Sequence, residues 1–208
     1  YGQCSYVDVP MVVDGKYSHI ENTYATDLFT DNALKYLDDQ VDKETPFCLN
    51  VTYTAPHKPW GREHHPAEIW DDYYNNCPFE STPGPDEPLA PGFQRYDFLA
   101  PGDAAERQKT PDAEMRRQDL AGYFASIEAM DSNIGRLLDW LETNDLRSNT
   151  LIVFMGDNGM NTGHHGIWGK GNGTWPQNPV QFETGELHLI QELLISKVLP
   201  NTLINTLS

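Results

Sequence analysis

Two short polar clusters follow predicted strands, and their side chains are the ones best suited to chemistry. Asp157 and Asn158 follow the apolar run 151–155 after a single glycine, and His57 follows the alternating segment 47–53. In open α/β sheets, ligands bind beyond the carboxyl ends of the strands. A carboxylate beside an amide oxygen suits Ca²⁺ or Mg²⁺. The sequence therefore indicates a metal site at Asp157 and Asn158, with an ordinary Asp-Asn-Gly turn as the alternative.

The elements that must position these clusters can be predicted from hydrophobic periodicity. Segment 47–53 alternates apolar and polar residues, which predicts a strand. The continuous apolar run 151–155 predicts a strand buried on both faces. Helices are predicted at 27–40 and at 112–143, the second from an apolar stripe at Leu120, Phe124, Ile127, Ile134, Leu138 and Leu141. This order predicts an α/β fold, a sheet flanked by helices.

Three other segments show weaker patterns. Residues 1–25 are predicted to be loop-like, because Gly, Pro and Asp-Gly punctuate them. Residues 61–111 are proline-rich and predicted to be a long irregular excursion, either a functional lid or binding loop or a poorly ordered segment. Residues 179–208 form a divergent tail, in which a single amphipathic helix is predicted over 185–199.

The charge of the chain limits its partners. Asp and Glu number 31 against 14 Lys and Arg, for a formal net charge of -17. Such a surface repels nucleic acid and anionic membranes, so no nucleic-acid partner is expected. No apolar stretch of about 18 residues is present, so no membrane insertion is expected either. An anionic substrate would have to be held locally, by a bound cation or by a few placed basic side chains.

The loop that follows Asp157-Asn158-Gly159 continues with His165-Gly166 and then Lys170, and the earlier strand ends in Ala55-Pro56-His57. In this combination the sequence resembles the sulfatase family of the alkaline phosphatase superfamily. Two further segments match that family in the same order, namely Tyr24-Ala25-Thr26-Asp27 with Thr30-Asp31, and the helix from Tyr123 to Leu138. The resemblance covers about residues 20–178. It implies that residues 1–178 are part of an alkaline phosphatase-like catalytic domain.

The resemblance also implies roles for individual residues. Asp157 and Asn158 would be two ligands of a divalent cation, usually Ca²⁺, with Mg²⁺ possible. Lys170 would hold a sulfate oxygen and steady the leaving group, and His57 would contact the sulfate and could protonate the departing alkoxide. His165 is a further candidate for the substrate pocket. Placed cations and donors of this kind lower the barrier to sulfate ester cleavage.

The chain departs from the family at the nucleophile. The family uses a formylglycine made from the cysteine of a Cys-x-Pro-Ser-Arg motif, and Cys4, Cys48 and Cys77 do not lie in such a motif. The two further Asp ligands of the family also have no equivalent before residue 20. We therefore expect a sulfuric ester hydrolase fragment, inactive alone, with the formylglycine in a missing N-terminal segment.

Other interpretations stay open from sequence alone. A phosphodiesterase or phosphonate hydrolase of the same superfamily would share the metal loop, and a non-catalytic calcium-dependent binding protein would lack the nucleophile. The substrate implied by the resemblance is a sulfated small molecule or carbohydrate, and an extracytoplasmic location, periplasmic or secreted, is favoured for the parent protein. His64, His65 and His164 are predicted to be surface residues.

Overall fold

A computed structural model of the chain describes residues 6–43, 45–84, 86–88, 112–156, 159–164, 168–169 and 192–197. In chain order its elements are β1 (Val7–Val13), β2 (Lys16–Tyr24), α1 (Ala25–Asp38), β3 (Cys48–Thr52), α2 (Ala67–Asn76), α3 (Ala113–Thr143), β4 (Thr150–Met155), β5 (Asn161–Thr162), β6 (Trp168–Gly169) and β7 (Glu192–Lys197). Short 3₁₀ turns lie at Arg62–His64 and Arg147–Asn149. None of the described helices combines the length and apolarity that a membrane-spanning helix requires.

The two strands that precede the polar clusters belong to one sheet. Its order is β3-β7-β4, and β7 is antiparallel to both neighbours, so β3 and β4 run in the same direction. Thr52 and Met155 both lie opposite Glu192, which places the carboxyl ends of β3 and β4 level with each other. With β7 between them, the two strand ends are about 10 Å apart, two inter-strand spacings.

The middle strand corrects the prediction for the tail. A helix was predicted over 185–199, but Glu192–Lys197 forms β7 and pairs with both neighbouring strands. Leu193, Leu194 and Ile195 are a short continuous apolar run. Such a run fits a central strand as well as a buried helix, and periodicity alone does not distinguish the two. Pairing partners distant in sequence decide the outcome.

Residues 6–25, the described part of the segment 1–25, also differ from the loop-like prediction. β1 and β2 form an antiparallel hairpin whose two-residue turn is Asp14-Gly15. Both turn residues have positive φ, 51° for Asp14 and 77° for Gly15. Positive φ at both positions is the geometry of a type I′ turn, the turn that joins twisted antiparallel strands most readily. The Asp-Gly pair was therefore a hairpin signal rather than a loop signal.

The predicted irregular excursion 61–111 contains a helix near its start. α2 (Ala67–Asn76) buries Trp70 against Leu120 and Ala121 of α3. Ile69 and Tyr73 pack beside it, so one face of α2 is apolar although its sequence is acidic overall. The prolines on either side obscured this short helical pattern. Residues 89–111 of the excursion lie outside the described part of the chain.

Helix α3 is the element against which the others pack, and its predicted bounds are confirmed. Its N-cap is Asp112, whose carboxylate accepts a hydrogen bond from Met115 N at 2.8 Å. The amino-terminal half contacts the α2 region and the carboxyl-terminal half contacts α1 and β3. The buried core of the second half is Tyr6, Ala33, Leu37, Phe47, Val51, Tyr53, Ala55, Met130, Ile134, Leu137 and Leu141.

Polar bonds fix α1 on α3 at defined positions. Asn133 donates to Asp27 at 2.7 Å, and Arg136 donates to Asp31 at 2.5 Å. Trp140 Nε1 donates to Asp38 at 2.7 Å. These bonds join residues about 100 positions apart, so they set the register between the two helices. Asp27 and Asp31 belong to one of the segments that resemble the family. Their hydrogen-bond partners lie in α3, which also contains a segment that resembles the family.

Strand β4 is not buried on both faces, contrary to the prediction. Leu151 is 58% exposed and Met155 is 50% exposed. A continuous apolar run indicates that a strand can be covered on both faces, but it does not say which chain segments cover it. Among the described residues, β4 pairs on one side only, with β7.

We predict that Gly122→Ala lowers the free energy of unfolding by roughly 2–3 kcal/mol. A Cβ at Gly122 of α3 would lie 1.9 Å from the backbone oxygen of Trp60, and backbone yields less readily than a side chain. Gly135→Ala in the same helix is the matched control, since nothing lies within 4 Å of its Cβ. It should gain up to about 1 kcal/mol from helix propensity. Urea unfolding of both variants tests this, and equal effects would contradict the contact.

Candidate active site

The 55–60 loop follows β3 and carries His57. The His57 amide donates to Thr54 O at 2.9 Å, and its ring Nδ1 donates to Lys58 O at 3.0 Å. A carbonyl oxygen only accepts, so Nδ1 carries a proton and Nε2 bears the lone pair when the imidazole is neutral. The half-exposed ring is thereby oriented by its own loop, with Nε2 as the atom that can take up and release a proton.

The backbone of this loop is held by side chains from around it. Each of five successive carbonyl groups accepts a hydrogen bond from a ring or a hydroxyl. The pairs are Pro56 O with Trp60 Nε1 at 2.9 Å, His57 O with Tyr6 OH at 2.7 Å, Lys58 O with His57 Nδ1 at 3.0 Å, Pro59 O with His65 Nε2 at 2.9 Å, and Trp60 O with Trp70 Nε1 at 3.0 Å. The peptide bonds Ala55-Pro56 and Lys58-Pro59 are both cis. The loop is thus fixed at every residue from 56 to 60.

His65, predicted to be a surface residue, is in fact buried, with 6% of its surface exposed. Its ring lies 4.6 Å from the Tyr6 ring, centroid to centroid. Since Nε2 donates to Pro59 O, the neutral ring accepts at Nδ1, where the Tyr24 hydroxyl lies at 3.3 Å. This burial could not be predicted from the local sequence, because it depends on Tyr6 and Tyr24, which are far away in the chain.

Burial controls the protonation of this cluster. Desolvation lowers the pKa of His65 to about 4, an effect that its bond to Pro59 opposes. Desolvation also raises the pKa of the Tyr6 and Tyr24 hydroxyls well above their usual range. At neutral pH the three groups are therefore uncharged, and each keeps the hydrogen with which it donates.

Lys58 connects the 55–60 loop to the segment that follows β4. Its Nζ lies 4.0 Å from the Asp119 carboxylate of α3 and 4.8 Å from the Trp60 ring centroid. Burial raises the pKa of the Asp119 carboxyl, while Lys58 and the Trp168 indole act in the opposite direction. Trp168 belongs to β6, which follows β4. The Asp119 carboxylate therefore lies near residues of both loops, Lys58 of the 55–60 loop and Trp168 of the loop after β4. The two loops therefore share one neighbourhood on the amino-terminal half of α3.

Further contacts hold Met160 and Trp168, two described residues of the chain after β4, on α3 or beside it. Met160 packs against Trp60 and Tyr123. The Arg116 guanidinium lies 5.9 Å from the Trp168 ring and donates to Thr82 Oγ1 at 2.7 Å. Through these contacts α3 carries both the loop after β3 and part of the loop after β4.

The structure describes only some of the predicted site residues. His57 lies in the fixed loop. Asp157, Asn158, His165 and Lys170 lie outside the described residues, so their placement stays a prediction. His164 is exposed, as predicted, and the side chain of His64 is partly exposed. Within the described ranges, no three His, Cys, Asp or Glu side chains are grouped as a metal site.

Sequence reasoning missed the residues that support the loop, namely Tyr6, His65, Trp70, Asp119 and Trp168. Each is distant in sequence from His57 or belongs to a segment with no clear periodicity. The available signal was the concentration of aromatic residues on both sides of the Ala-Pro-His turn.

Comparisons with known proteins agree on one family. A sequence model of the family described as Sulfatase matches residues 2–184, more than half of the chain. The N-acetylglucosamine-6-O-sulfatase of Bacteroides thetaiotaomicron is 31% identical over 218 residues, covering 81% of this chain and 39% of that protein. The iduronate 2-sulfatase of Homo sapiens is 30% identical over 163 residues, covering 72% of this chain and 28% of that protein. The chain spans well under half the length of these relatives.

Two solved structures are similar in fold. One is a sulfatase of Bacteroides fragilis, with a TM-score of 0.53 and 20% identity over 89% of this chain and 33% of that chain. The other is a protein in complex with its substrate D-glucosamine-2-N,6-O-disulfate, with a TM-score of 0.53 and 23% identity over 95% of this chain and 47% of that chain. At these identities the matches show the fold.

We predict that His65 makes stability depend on pH between about 6.5 and 4. Because its pKa is lowered in the folded state, the unfolded state binds more protons in this window. The stabilisation is complete above pH 6.5 and is lost as pH falls toward 4, amounting to about 3 kcal/mol. Urea unfolding at pH 7 and pH 4 should show a smaller acid loss for His65→Gln than for the unsubstituted chain. The control His19→Gln, at an exposed position, should keep the full loss, and equal losses in all three would contradict the assignment.

Proposed function

Because this chain belongs to the sulfatase family and has part of its alkaline phosphatase-like fold, we propose that it supplies part of the active site of a sulfuric ester hydrolase. The observation that carries the proposal is the level position of the carboxyl ends of β3 and β4 in one sheet. His57 follows one strand end and Asp157-Asn158 follow the other. A separation of about 10 Å between strand ends suits a metal-bound sulfate group between the two loops.

Asp157 and Asn158 would hold a divalent cation in the whole protein. Their carboxylate and amide oxygens are hard donors that fit Ca²⁺, with Mg²⁺ as the second choice. Met155, the last residue of β4, precedes Asp157 by two positions in the sequence, so both candidate ligands follow the strand end. Further ligands would come from other parts of the whole protein. When bound, the cation supplies positive charge next to the sulfate oxygens.

The side chains of this chain would then act on the sulfate ester around that charge. Lys170 would bind a sulfate oxygen, and His165 would line the same pocket. His57, protonated at both ring nitrogens, would donate from Nε2 to the departing alkoxide while Nδ1 stays bonded to Lys58 O. The nucleophile, expected to be a formylglycine, would come from another part of the whole protein.

The substrate class is proposed from the relatives. One relative is named an N-acetylglucosamine-6-O-sulfatase, and one structural match contains D-glucosamine-2-N,6-O-disulfate. A sulfated carbohydrate is therefore the substrate that we propose for the whole protein. With a formal net charge of -17, an anionic sugar would be held only where cations are concentrated, at the metal and Lys170.

Removing the Asp157 carboxylate should remove bound metal. We expect the whole protein to contain close to one equivalent of Ca²⁺ or Mg²⁺ and Asp157→Ala to retain a small fraction of it, because a hard-oxygen site loses affinity with each lost charged ligand. Elemental analysis after gel filtration measures this. Asp42→Ala, at an exposed turn position, is the control. Equal metal content in Asp157→Ala and Asp42→Ala would exclude the ligand assignment.

Sulfate esters with different leaving groups should distinguish the role of Lys170 from that of His57. Lys170→Ala should lower kcat by about 10²–10³ for every sulfate ester, since it removes a placed charge at the reacting group. His57→Ala should affect an alkyl or sugar sulfate far more than 4-nitrophenyl sulfate, whose leaving group needs no proton.

Steady-state rates on both kinds of ester measure these effects. Lys16→Ala, in the exposed β1-β2 turn region, is the control and should keep full activity. A His57→Ala loss independent of the leaving group would rule out the general acid role. Faster turnover of phosphodiesters with the same leaving groups than of the sulfate esters by the unsubstituted protein would instead favour a phosphodiesterase.

A further inference from the structure

Apart from the bond from His57 Nδ1 to Lys58 O, the hydrogen bonds to the 55–60 loop are not used by the proposed chemistry. Two of these bonds are donated by buried, uncharged rings that lie outside the loop. Tyr6 donates to the carbonyl of His57 itself, and His65 donates to the carbonyl of Pro59, two residues further on. Both donors are almost fully buried, at 0% and 6% exposure.

We infer that Tyr6, assisted by His65, is a positioning residue that fixes the tautomer and direction of the His57 imidazole. The inference rests on the proposed function, in which His57 contacts the substrate. The bond from Tyr6 fixes the peptide plane between His57 and Lys58. The next plane, between Lys58 and Pro59, carries the Lys58 carbonyl, which is the acceptor that selects the Nδ1-protonated form of His57.

The arrangement around Tyr6 makes its hydroxyl a dependable donor. Its ring stacks on Tyr24 with centroids 5.6 Å apart and lies against His65, so the hydroxyl cannot swing away from His57 O. Burial raises the pKa of the Tyr6 hydroxyl, which keeps the phenol protonated. The His57 carbonyl in turn would lose its buried partner if the hydroxyl were removed, at a cost typical of an unsatisfied buried polar group.

His65 acts one peptide plane beyond Lys58. Its proton is on Nε2 because Pro59 O accepts there, and Tyr24 OH at 3.3 Å from Nδ1 supports that tautomer. Tyr6 and His65 therefore hold the Lys58 carbonyl from both sides along the chain. Neither ring need touch the substrate for this effect, so both are positioning residues rather than catalytic ones.

The decisive variant is Tyr6→Phe, which keeps the ring stacking and removes only the hydroxyl. Two-dimensional ¹⁵N NMR of the imidazole nitrogens in the 208-residue chain, with the His57 signals assigned by comparison with His57→Gln, gives the tautomer. We expect one Nδ1-protonated form in the unsubstituted chain and a mixture of tautomers in Tyr6→Phe. Tyr17→Phe is the matched control, because that side chain is 75% exposed, and its His57 signals should not change.

Activity of the whole protein gives the second measurement. Tyr6→Phe should lower kcat on an alkyl or sugar sulfate about tenfold, with KM changed less than twofold, since misplacement of an acid affects the chemical step more than binding. Tyr17→Phe should leave both constants unchanged. A general loss of folded protein would also lower apparent kcat and leave KM unchanged, so the His57 spectrum makes the distinction: misplacement gives a mixture of tautomers, whereas loss of folded protein leaves the spectrum of the remaining folded chain unchanged.

Variants of His65 test the inference independently, even if Tyr6→Phe folds poorly. His65→Gln keeps an amide N–H that can reach Pro59 O, whereas His65→Leu keeps the bulk and has no donor. We expect the Gln variant to retain the single His57 tautomer and most of kcat, and the Leu variant to lose both.

The outcomes separate this inference from the proposed function. A tautomer mixture in Tyr6→Phe with unchanged turnover would uphold the positioning of His57 and overturn its role in catalysis. An unchanged His57 tautomer in both Tyr6→Phe and His65→Leu would overturn the inference, whatever happens to turnover.

Discussion

The contact between Gly122 and the carbonyl oxygen of Trp60 is the constraint on which the rest of the described structure depends. A side chain at residue 122 has no room, since its Cβ would lie 1.9 Å from that oxygen. The same oxygen accepts a hydrogen bond from Trp70, so it cannot move aside without leaving a buried donor unpaired. The end of the 55–60 loop is therefore held between α2 and α3. This close approach brings a loop that follows β3 against the middle of the longest helix.

Helix α3 connects that local contact with the other described elements. Its carboxyl-terminal half packs on α1 and β3, while its amino-terminal half carries the aromatic cluster around Trp70 and the segment that ends at Trp168. Asp119, on the same half, faces Lys58 of one loop and Trp168 of the other. A single rigid element therefore sets the spacing between the loop after β3 and the loop after β4, in agreement with the level ends of those strands.

Uncharged and charged groups occupy different parts of the candidate site. The support beneath His57 is made of uncharged, buried rings, because burial lowers the pKa of His65 and raises those of Tyr6 and Tyr24. The charged groups are Lys58, which belongs to the loop itself, and Asp119 of α3, which lies 4.0 Å from it. The support beneath His57 therefore adds no charge to a chain whose formal net charge is -17.

Sequence alone determined the parts of this protein that depend on local order. The capped helix from Asp112, the strands ending before His57 and Asp157, and the motifs of the sulfatase family could all be read from residue types and spacing. The tertiary structure decided the rest. Leu193 to Ile195 form a strand because two distant strands pair with them, and the Asp14-Gly15 turn closes a hairpin. His65 is buried and neutral because Tyr6 and Tyr24 cover it. Periodicity reports which face of a segment is apolar, whereas pairing, burial and hydrogen-bond partners depend on residues far away in the chain.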